Sequence, residues 1–215
     1  MPHEHDYDLT AGDIAQLTTA DALAAFLTQI GYDTGARAVL TPEAVGLSGN
    51  ATAPIHQIEL LSEDSESFLR VVFVRLRSLT AKSRNDLARV LGRTNIDHLL
   101  ILASDFEILE FVLLDKRKQE SRGAATAQRL QVVPRTFSVN RRSPGRLEMR
   151  ALRRLTWTGA DGLEQYEKLR AAFKSAVFTE EYFQNRALFA DHYLTDRLRD
   201  DPAWAENPSE AFRSA

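Results

Sequence analysis

The amino-acid sequence predicts an α/β (α+β) fold, in which a small mixed sheet of about four to six strands is flanked by helices and followed by a C-terminal helical extension. Short apolar runs of β type occur in two pairs, and a segment with helical spacing precedes each pair. Helical spacing returns after residue 159. We therefore divide the chain into an α/β core (1–115), a basic linker and hairpin (116–158) and the helical extension (159–215).

The first helix is predicted from about residue 19 to residue 30. Its apolar side chains recur at helical spacing, and they are Ala22, Leu23, Phe26, Leu27 and Ile30. Thr18 or Thr19 can cap its N-terminus, and Gly31 supplies the left-handed residue that ends many helices. Glycines and prolines punctuate the next twenty residues, so we expect a loop there with at most one helical turn.

Two apolar runs, at 55–61 and 68–76, predict the first two strands. The polar residues between them favour a turn, so these strands should form a hairpin. Thr80 then begins a basic amphipathic helix, whose end is marked by Gly92 and Asn95. Two further strands are predicted at 98–103 and 108–114.

The basic stretch after the core leaves alternatives open. Residues 116–131 are rich in alanine and positive charge, which fits a mobile linker or a short surface helix. The segments 136–139 and 147–155 flank a Ser-Pro-Gly turn, which favours a basic hairpin. The spacing of Leu147, Ala151 and Leu155 suits a helix equally well.

The extension is predicted to contain two helices and a loose tail. Leu163, Tyr166, Leu169, Phe173 and Val177 follow helical spacing, and a second helix begins near Thr179. The aromatic side chains of that second helix have the spacing of a face packed into a core. The polar residues 200–215 show no periodicity, so we expect them to be loosely held.

Composition restricts the class of protein. The 215 residues are 44% hydrophobic and 27% charged, which is typical of a globular domain. No apolar run is long enough to cross a membrane, and the polar start does not resemble a signal peptide. The absence of cysteine excludes disulfides and thiolate sites, and five scattered histidines predict no metal site. We expect a soluble, cytoplasmic protein without a membrane partner.

Charge is segregated along the chain although the net charge is only −3. Residues 1–54 carry seven acidic residues and one basic residue, whereas residues 116–154 carry twelve Lys/Arg against two acids. Such a local excess attracts polyanions whatever the overall balance, so DNA is the partner that this distribution favours. The candidate DNA-binding residues are Arg75, Arg77, Lys82, Arg84, Arg141, Arg142, Arg146, Arg150, Arg153 and Arg154.

Each set of candidates also has an ordinary structural interpretation. Arg75 and Arg77 point to one face of a strand, where they could bind phosphate or pair with Glu59 or Glu110 across the sheet. The later arginines could follow a phosphate backbone. They could equally be neutralised by acidic segments of this chain or of another domain.

Two groups of residues carry a resemblance to a known family. One comprises Arg153-Arg154-Leu155-Thr156-Trp157-Thr158 and the aromatic-rich residues 181–194, and the other comprises residues 73–80 and 95–114. These segments resemble the N-terminal domain of large type IIG-like restriction-modification DNA (adenine) methyltransferases. The resemblance implies a DNA-engaging domain of a restriction-modification or phage-defence protein. Its partners would be DNA and the other domains or subunits of that system.

In that family the methyltransferase follows downstream, with a glycine-containing cofactor loop and an Asn/Asp-Pro-Pro-Tyr/Phe motif. Here Asn207-Pro208-Ser209-Glu210 lacks the second proline and the aromatic residue that stacks on a flipped base. We therefore expect no methyl transfer by this chain. S-adenosylmethionine would be the cofactor of a further domain only.

The resemblance also implies a restriction-endonuclease-like core of the PD-(D/E)xK type. In such nucleases an acid on one strand and an acid-x-Lys pair on the next bind Mg²⁺. Here Arg75-Leu76-Arg77 stands at the acid-x-Lys position, and arginine can neither coordinate a metal nor act as a base. Glu59 and Asp64 remain as candidate catalytic carboxylates.

Three functions stay open. The sequence favours a DNA-engaging domain without catalysis of its own, which needs no cofactor. A nuclease with a degenerate site, using Mg²⁺ with Glu59 or Asp64, is the enzymatic alternative. A module that docks its basic strip on an acidic protein is the third.

Overall fold

The structure, a computed structural model, describes residues 8–48, 52–64, 69–94, 96–119, 129–157 and 162–173. These residues contain a six-stranded sheet flanked by helices, which confirms the α/β class. The strands are β1 (Ala38–Leu40), β2 (Ile55–Asp64), β3 (Leu69–Leu76), β4 (Asp97–Ala103), β5 (Ile108–Gln119) and β6 (Arg129–Asn140). The helices are α1 (Ala11–Ala15), α2 (Ala20–Gln29), α3 (Ala81–Leu91), α4 (Arg146–Arg153) and α5 (Gly162–Ala172), and Glu43–Val45 forms a 3-10 turn.

The strands lie side by side in their order along the chain. Neighbours pair antiparallel except β3 and β4, which run parallel, with Leu69 opposite Asp97 and Arg75 opposite Ala103. A parallel pair requires a crossover connection, and α3 provides it. The hairpin β2–β3, the helix α3 and the strand β4 therefore form the central unit of a mixed sheet.

Helix α3 covers one face of the sheet. Thr80 caps it by accepting a hydrogen bond from the Ser83 backbone N–H at 3.1 Å. Gly92, which follows the helix, has an ordinary helical φ of −69°, but a Cβ there would lie 2.5 Å from Cγ1 of Val132 in β6. Glycine thus permits the close approach of α3 to β6. The buried apolar side chains of this core include Ile58, Leu60, Val72, Val74, Leu76, Leu87, Leu91, Leu100, Leu102, Val112 and Leu114.

Helices α2, α4 and α5 pack on the opposite face, where they contact β2, β6 and β5 respectively. Phe111 stacks on Phe137 with ring centroids 5.0 Å apart, and Phe173 packs against Phe137 at 4.9 Å. The backbone N–H of Trp157 donates to the carbonyl of Ile30 at 2.7 Å, which joins the chain after α4 to the end of α2. Gly31 has a φ of +94° at this junction, so it is the left-handed stop that the sequence predicts.

A buried carboxylate holds α5 to the sheet. The side chain of Asp115, only 1% exposed, accepts from Nε of Arg135 in β6 at 2.8 Å and from Nε of Arg170 in α5 at 3.0 Å. The Tyr166 hydroxyl also donates to the carbonyl of Leu114, at 3.3 Å. Because these groups lie on three elements, they fix α5 against β5 and β6.

The structure confirms most of the core predictions. It has the helix after Thr19, the hairpin β2–β3, the basic helix α3, the strands β4 and β5 and the turn of helix before residue 46. The described part of the extension contains α5, as predicted. The predicted helix near Thr179 and the loose tail lie outside the described residues.

The predictions for residues 116–158 need correction. Residues 116–119 continue β5 and residues 129–131 begin β6, so these parts are strand and neither linker nor surface helix. Of the two alternatives for residues 147–155, the helix is confirmed and the hairpin is wrong, because Arg146–Arg153 is helical. The boundary proposed between residues 115 and 116 falls inside β5, and the described residues belong to one compact unit.

A buried histidine at the start of β4 should make stability depend on pH. His98 is 3% exposed and its Nδ1 has no partner among the described residues. Burial, together with the nearby charges of Lys116 and Arg70, lowers its pKa from 6.5 to about 4. The folded protein therefore keeps His98 neutral at a pH where the unfolded chain protonates it. The resulting loss of stability begins as the pH falls below 6.5 and ends near 4.

Between about pH 7 and about pH 4.5, the free energy of unfolding of the His98→Gln variant should fall by about 2 kcal/mol less than that of the wild type. Urea unfolding at both pH values measures this difference. His56→Gln is the matched control, because His56 is exposed on β2. Equal pH dependence in all three proteins would show that His98 does not titrate as its burial implies.

Candidate nucleic-acid interface

Helix α4 presents a row of arginines to solvent. Arg146, Arg150 and Arg153 recur at helical spacing within α4, and Arg142 precedes the helix; all four are exposed. We call these four residues the arginine row. The buried side chains of Ala151, Leu152 and Leu155 turn toward the protein, so the amphipathic pattern of the helix places the guanidinium groups on its outer face.

Acidic residues lie beside both ends of the arginine row. Arg142 lies 3.7 Å from Glu107, and Arg153 lies 3.6 Å from Asp8, in pairs whose members are all exposed. Exposed pairs of this kind contribute little and exchange readily with other anions. Glu148, within the helix, instead accepts from the Gly145 backbone N–H at 2.8 Å and caps the N-terminus.

Two of the candidate arginines serve the fold. Arg84 forms an ion pair with Glu110, whose side chain is buried in β5. Arg141 donates from Nε to the carbonyl of Phe106 at 3.0 Å and from Nη1 to the carbonyl of Ala15 at 2.5 Å. These contacts engage part of each guanidinium inside the domain, and the DNA-binding role of the two residues stays a prediction. Arg154, half-buried at the end of α4, lies beside the row.

A second basic set lies around the end of β3. Arg75, Arg77 and Lys82 are exposed, and the structure shows no ion pair for them among the described residues. The Arg75 guanidinium lies 5.7 Å from the ring centre of Phe106, and its Nε is 3.4 Å from the carbonyl of Ser104. Neither Glu59 nor Glu110 is its partner, so the cross-sheet pairing considered for Arg75 is wrong. The turn at residues 104–107 contacts Arg75 on one side and Arg141 on the other.

The candidate catalytic carboxylate Glu59 is held inside the domain. Its side chain is buried in β2 and forms an ion pair with Arg37, while Gln57 Nε2 donates to its Oε2 at 2.9 Å. Arg37 also pairs with Asp21 in α2. Both carboxylate oxygens are therefore occupied by donors of this chain. A structural ion pair accounts for Glu59 without a metal.

The structure does not bring Glu59 and Asp64 together. They stand five residues apart on β2, a separation of roughly 16 Å along an extended strand. Asp64 ends the strand and lines a small pocket with Asp33, Ser62 and Trp157. Among the described residues no three His, Asp or Glu side chains are grouped as metal ligands. The two carboxylates thus do not form the paired site that a nuclease of this type uses.

Sequence reasoning missed several residues that shape this surface. Arg37, Asp115 and Phe106 were not singled out, yet each organises a cluster described above. A non-glycine residue at positive φ, as Phe106 has at 63°, leaves no signature in composition. Ion pairs between residues 20 or more positions apart likewise follow from the fold and not from spacing.

Comparison with known proteins identifies no relative: no family model, no curated protein and no solved structure matches the chain. In the part of the chain that the structure describes, none of the helices has the length and apolar character needed to span a membrane.

Proposed function

We propose that this domain binds duplex DNA through the arginine row and catalyses no reaction itself. The observation that carries the proposal is the exposure of the four guanidinium groups of the arginine row, three along one side of α4 and one just before the helix. Successive members within the helix are separated by about 4 to 6 Å along its axis, and each DNA strand carries a phosphate about every 3.4 Å of duplex. Neighbouring arginines can therefore reach neighbouring phosphates.

The proposed context is a restriction-modification or phage-defence protein, in the cytoplasm, with the methyltransferase on another part of the system. The resemblance of the aromatic-rich and strand segments supports this context. The mixed sheet, in which a hairpin is followed by a helix and a parallel strand, supports a restriction-endonuclease-like scaffold. The ion pair between Glu59 and Arg37 supports a scaffold that binds DNA without cleaving it.

Binding of this kind should depend strongly on salt and little on sequence. We expect the protein to bind two duplexes of unrelated sequence with affinities that agree within about threefold near 50 mM salt. With about four phosphate contacts, affinity should fall by roughly 100-fold near 200 mM salt. Fluorescence anisotropy with labelled duplexes measures both effects.

Two results would argue against the proposal. One is the absence of binding to either duplex at low salt. The other is equal competition by poly-glutamate and by DNA at matched charge concentration, which would favour an acidic protein as the partner. Cleavage of the duplex when Mg²⁺ is added, if abolished by Glu59→Gln, would instead support a nuclease.

A further inference from the structure

The arginine row and the second basic set meet at one end of the sheet. Arg75, near the end of β3, lies opposite Ala103 in β4. The register continues from Ala103 through Leu109 in β5 to Val139 in β6. Neighbouring strands are about 4.8 Å apart, so three intervals place the ends of β3 and β6 about 14 Å from each other. Arg142, the first member of the arginine row, follows the end of β6 by two residues.

The Arg75 side chain belongs to the face of the sheet on which α4 packs. Its neighbours Val74 and Leu76 are part of the core beneath α3, and side chains alternate between the two faces along a strand. Phe73, two residues before Arg75, stacks on Phe106 with ring centroids 5.3 Å apart. Arg75 and the arginine row are therefore on the same side of the sheet, where a single ligand can contact both.

The turn at residues 104–107 fixes the spacing between the two basic sets. Nε of Arg141 donates to the carbonyl of Phe106 at 3.0 Å, and the Arg141 backbone N–H donates to the carbonyl of Glu107 at 2.9 Å. On the other side of the turn, the Arg75 guanidinium lies 5.7 Å from the ring centre of Phe106. Because these contacts join the end of β3 to the residue before Arg142, the fold itself sets the distance between the sets.

Two exposed acids occupy the turn between the basic sets. Oδ1 of Asp105 accepts from the Glu107 backbone N–H at 3.0 Å, and Glu107 lies 3.7 Å from Arg142. A phosphate backbone that crossed the turn would be repelled by both carboxylates. The major groove of a duplex is about 12 Å wide, with a phosphate backbone along each rim, and this width is close to the separation of β3 and β6. A duplex whose major groove faces the turn brings one backbone to each basic set.

We propose that a single duplex contacts both sets, with phosphates of one strand at the arginine row, phosphates of the other strand at Arg75 and Arg77, and the major groove over residues 104–107. This inference rests on the DNA-binding function proposed above and adds the footprint and orientation of the duplex. Arg77 joins Arg75 because residues two apart share a face and both side chains are exposed.

The test is the salt dependence of duplex binding by a variant that carries Arg75→Gln and Arg77→Gln. We expect this variant to bind about tenfold to 100-fold more weakly than the wild type near 50 mM salt. The slope of log affinity against log salt should also become shallower by about 2, because two phosphate contacts are lost. Fluorescence anisotropy titrations at several salt concentrations measure both quantities, and circular dichroism checks the fold.

A single variant and a matched control accompany the double variant. Arg77→Gln alone leaves the contacts of Arg75 with the turn in place, and it should make the slope shallower by about 1. The control carries Arg89→Gln and Arg93→Gln, which remove the same charge near the end of α3. That end lies by the start of β4, at the other end of the sheet, so affinity should change by less than about threefold and the slope should stay unchanged.

The outcomes separate this footprint from the proposed function. If the wild type binds DNA and the double variant matches the control in affinity and slope, the shared footprint is overturned while binding at the arginine row stands. The footprint is also overturned if Arg77→Gln behaves as the wild type, or if saturation requires two duplexes for each chain. A wild type that binds no duplex at low salt removes the proposed function, and the footprint with it.

Discussion

Replacing Arg146 and Arg150 together by glutamate should weaken binding to duplex DNA by about 100-fold or more near 50 mM salt. Each phosphate contact contributes about tenfold to affinity at this salt concentration, because the counterion that it releases enters dilute solution. Two contacts are lost, and two new negative charges repel the backbone. Both side chains are exposed on α4, so the fold should survive, and circular dichroism checks that it does.

The matched control reverses the same number of charges on the other face of the sheet. Arg89 and Arg93 are exposed on and just after α3 and are also four residues apart. Their replacement by glutamate should change affinity by less than about fivefold, through long-range repulsion alone. Equal losses in the two pairs would mean that net charge, and no particular surface, determines binding.

Replacing Asp115 by alanine should lower the free energy of unfolding by about 3 to 5 kcal/mol. The carboxylate is 1% exposed and pairs with Arg135 and Arg170. Its removal leaves the Arg135 guanidinium, 15% exposed, without its carboxylate, and leaves Arg170 only its surface pair with Glu167. Helix α5 also loses an attachment to the sheet. Urea unfolding monitored by tryptophan fluorescence and by circular dichroism measures the loss.

Asp86→Ala is the control for this substitution. Asp86 pairs with Arg89 at 3.4 Å near the surface, and loss of such a pair should cost less than about 1 kcal/mol. A loss for Asp115→Ala no larger than that for Asp86→Ala would show that the cluster around Asp115 is not a stabilising feature of the fold.

The elements that were predicted correctly are those in which buried apolar residues recur at the spacing of a helix or form one continuous run, as in a buried strand. Helix α2 has Thr19 before it and Gly31 after it. Strand β4 is an almost continuous apolar run because helices cover both faces of the sheet. Helix α1 and strand β1, of five and three residues, are too short for a period to be visible. The apolar pattern of β5 ends at Leu114, although the strand continues to Gln119.

The sequence located the basic surface but could not divide its arginines by role. Arg84 is paired with Glu110, 26 positions away, and Arg141 with the carbonyl of Ala15, 126 positions away. Arg146 and Arg150 lie in the same basic stretch of sequence as Arg141, but their side chains face solvent. Only the fold decides which guanidinium groups face solvent. Glu59 illustrates the same point, because its partner Arg37 lies in a segment that the sequence suggested was loop.

If DNA contacts the outer face of α4, a titration of the isotope-labelled protein with a short duplex, followed by NMR, should locate the contact on that helix. We expect the largest shifts at the side-chain Nε–H groups of Arg142, Arg146, Arg150 and Arg153 and at the backbone amides of α4, while α3 changes little. Shifts confined to α3 or to the end of β3, with α4 unperturbed at saturation, would contradict it.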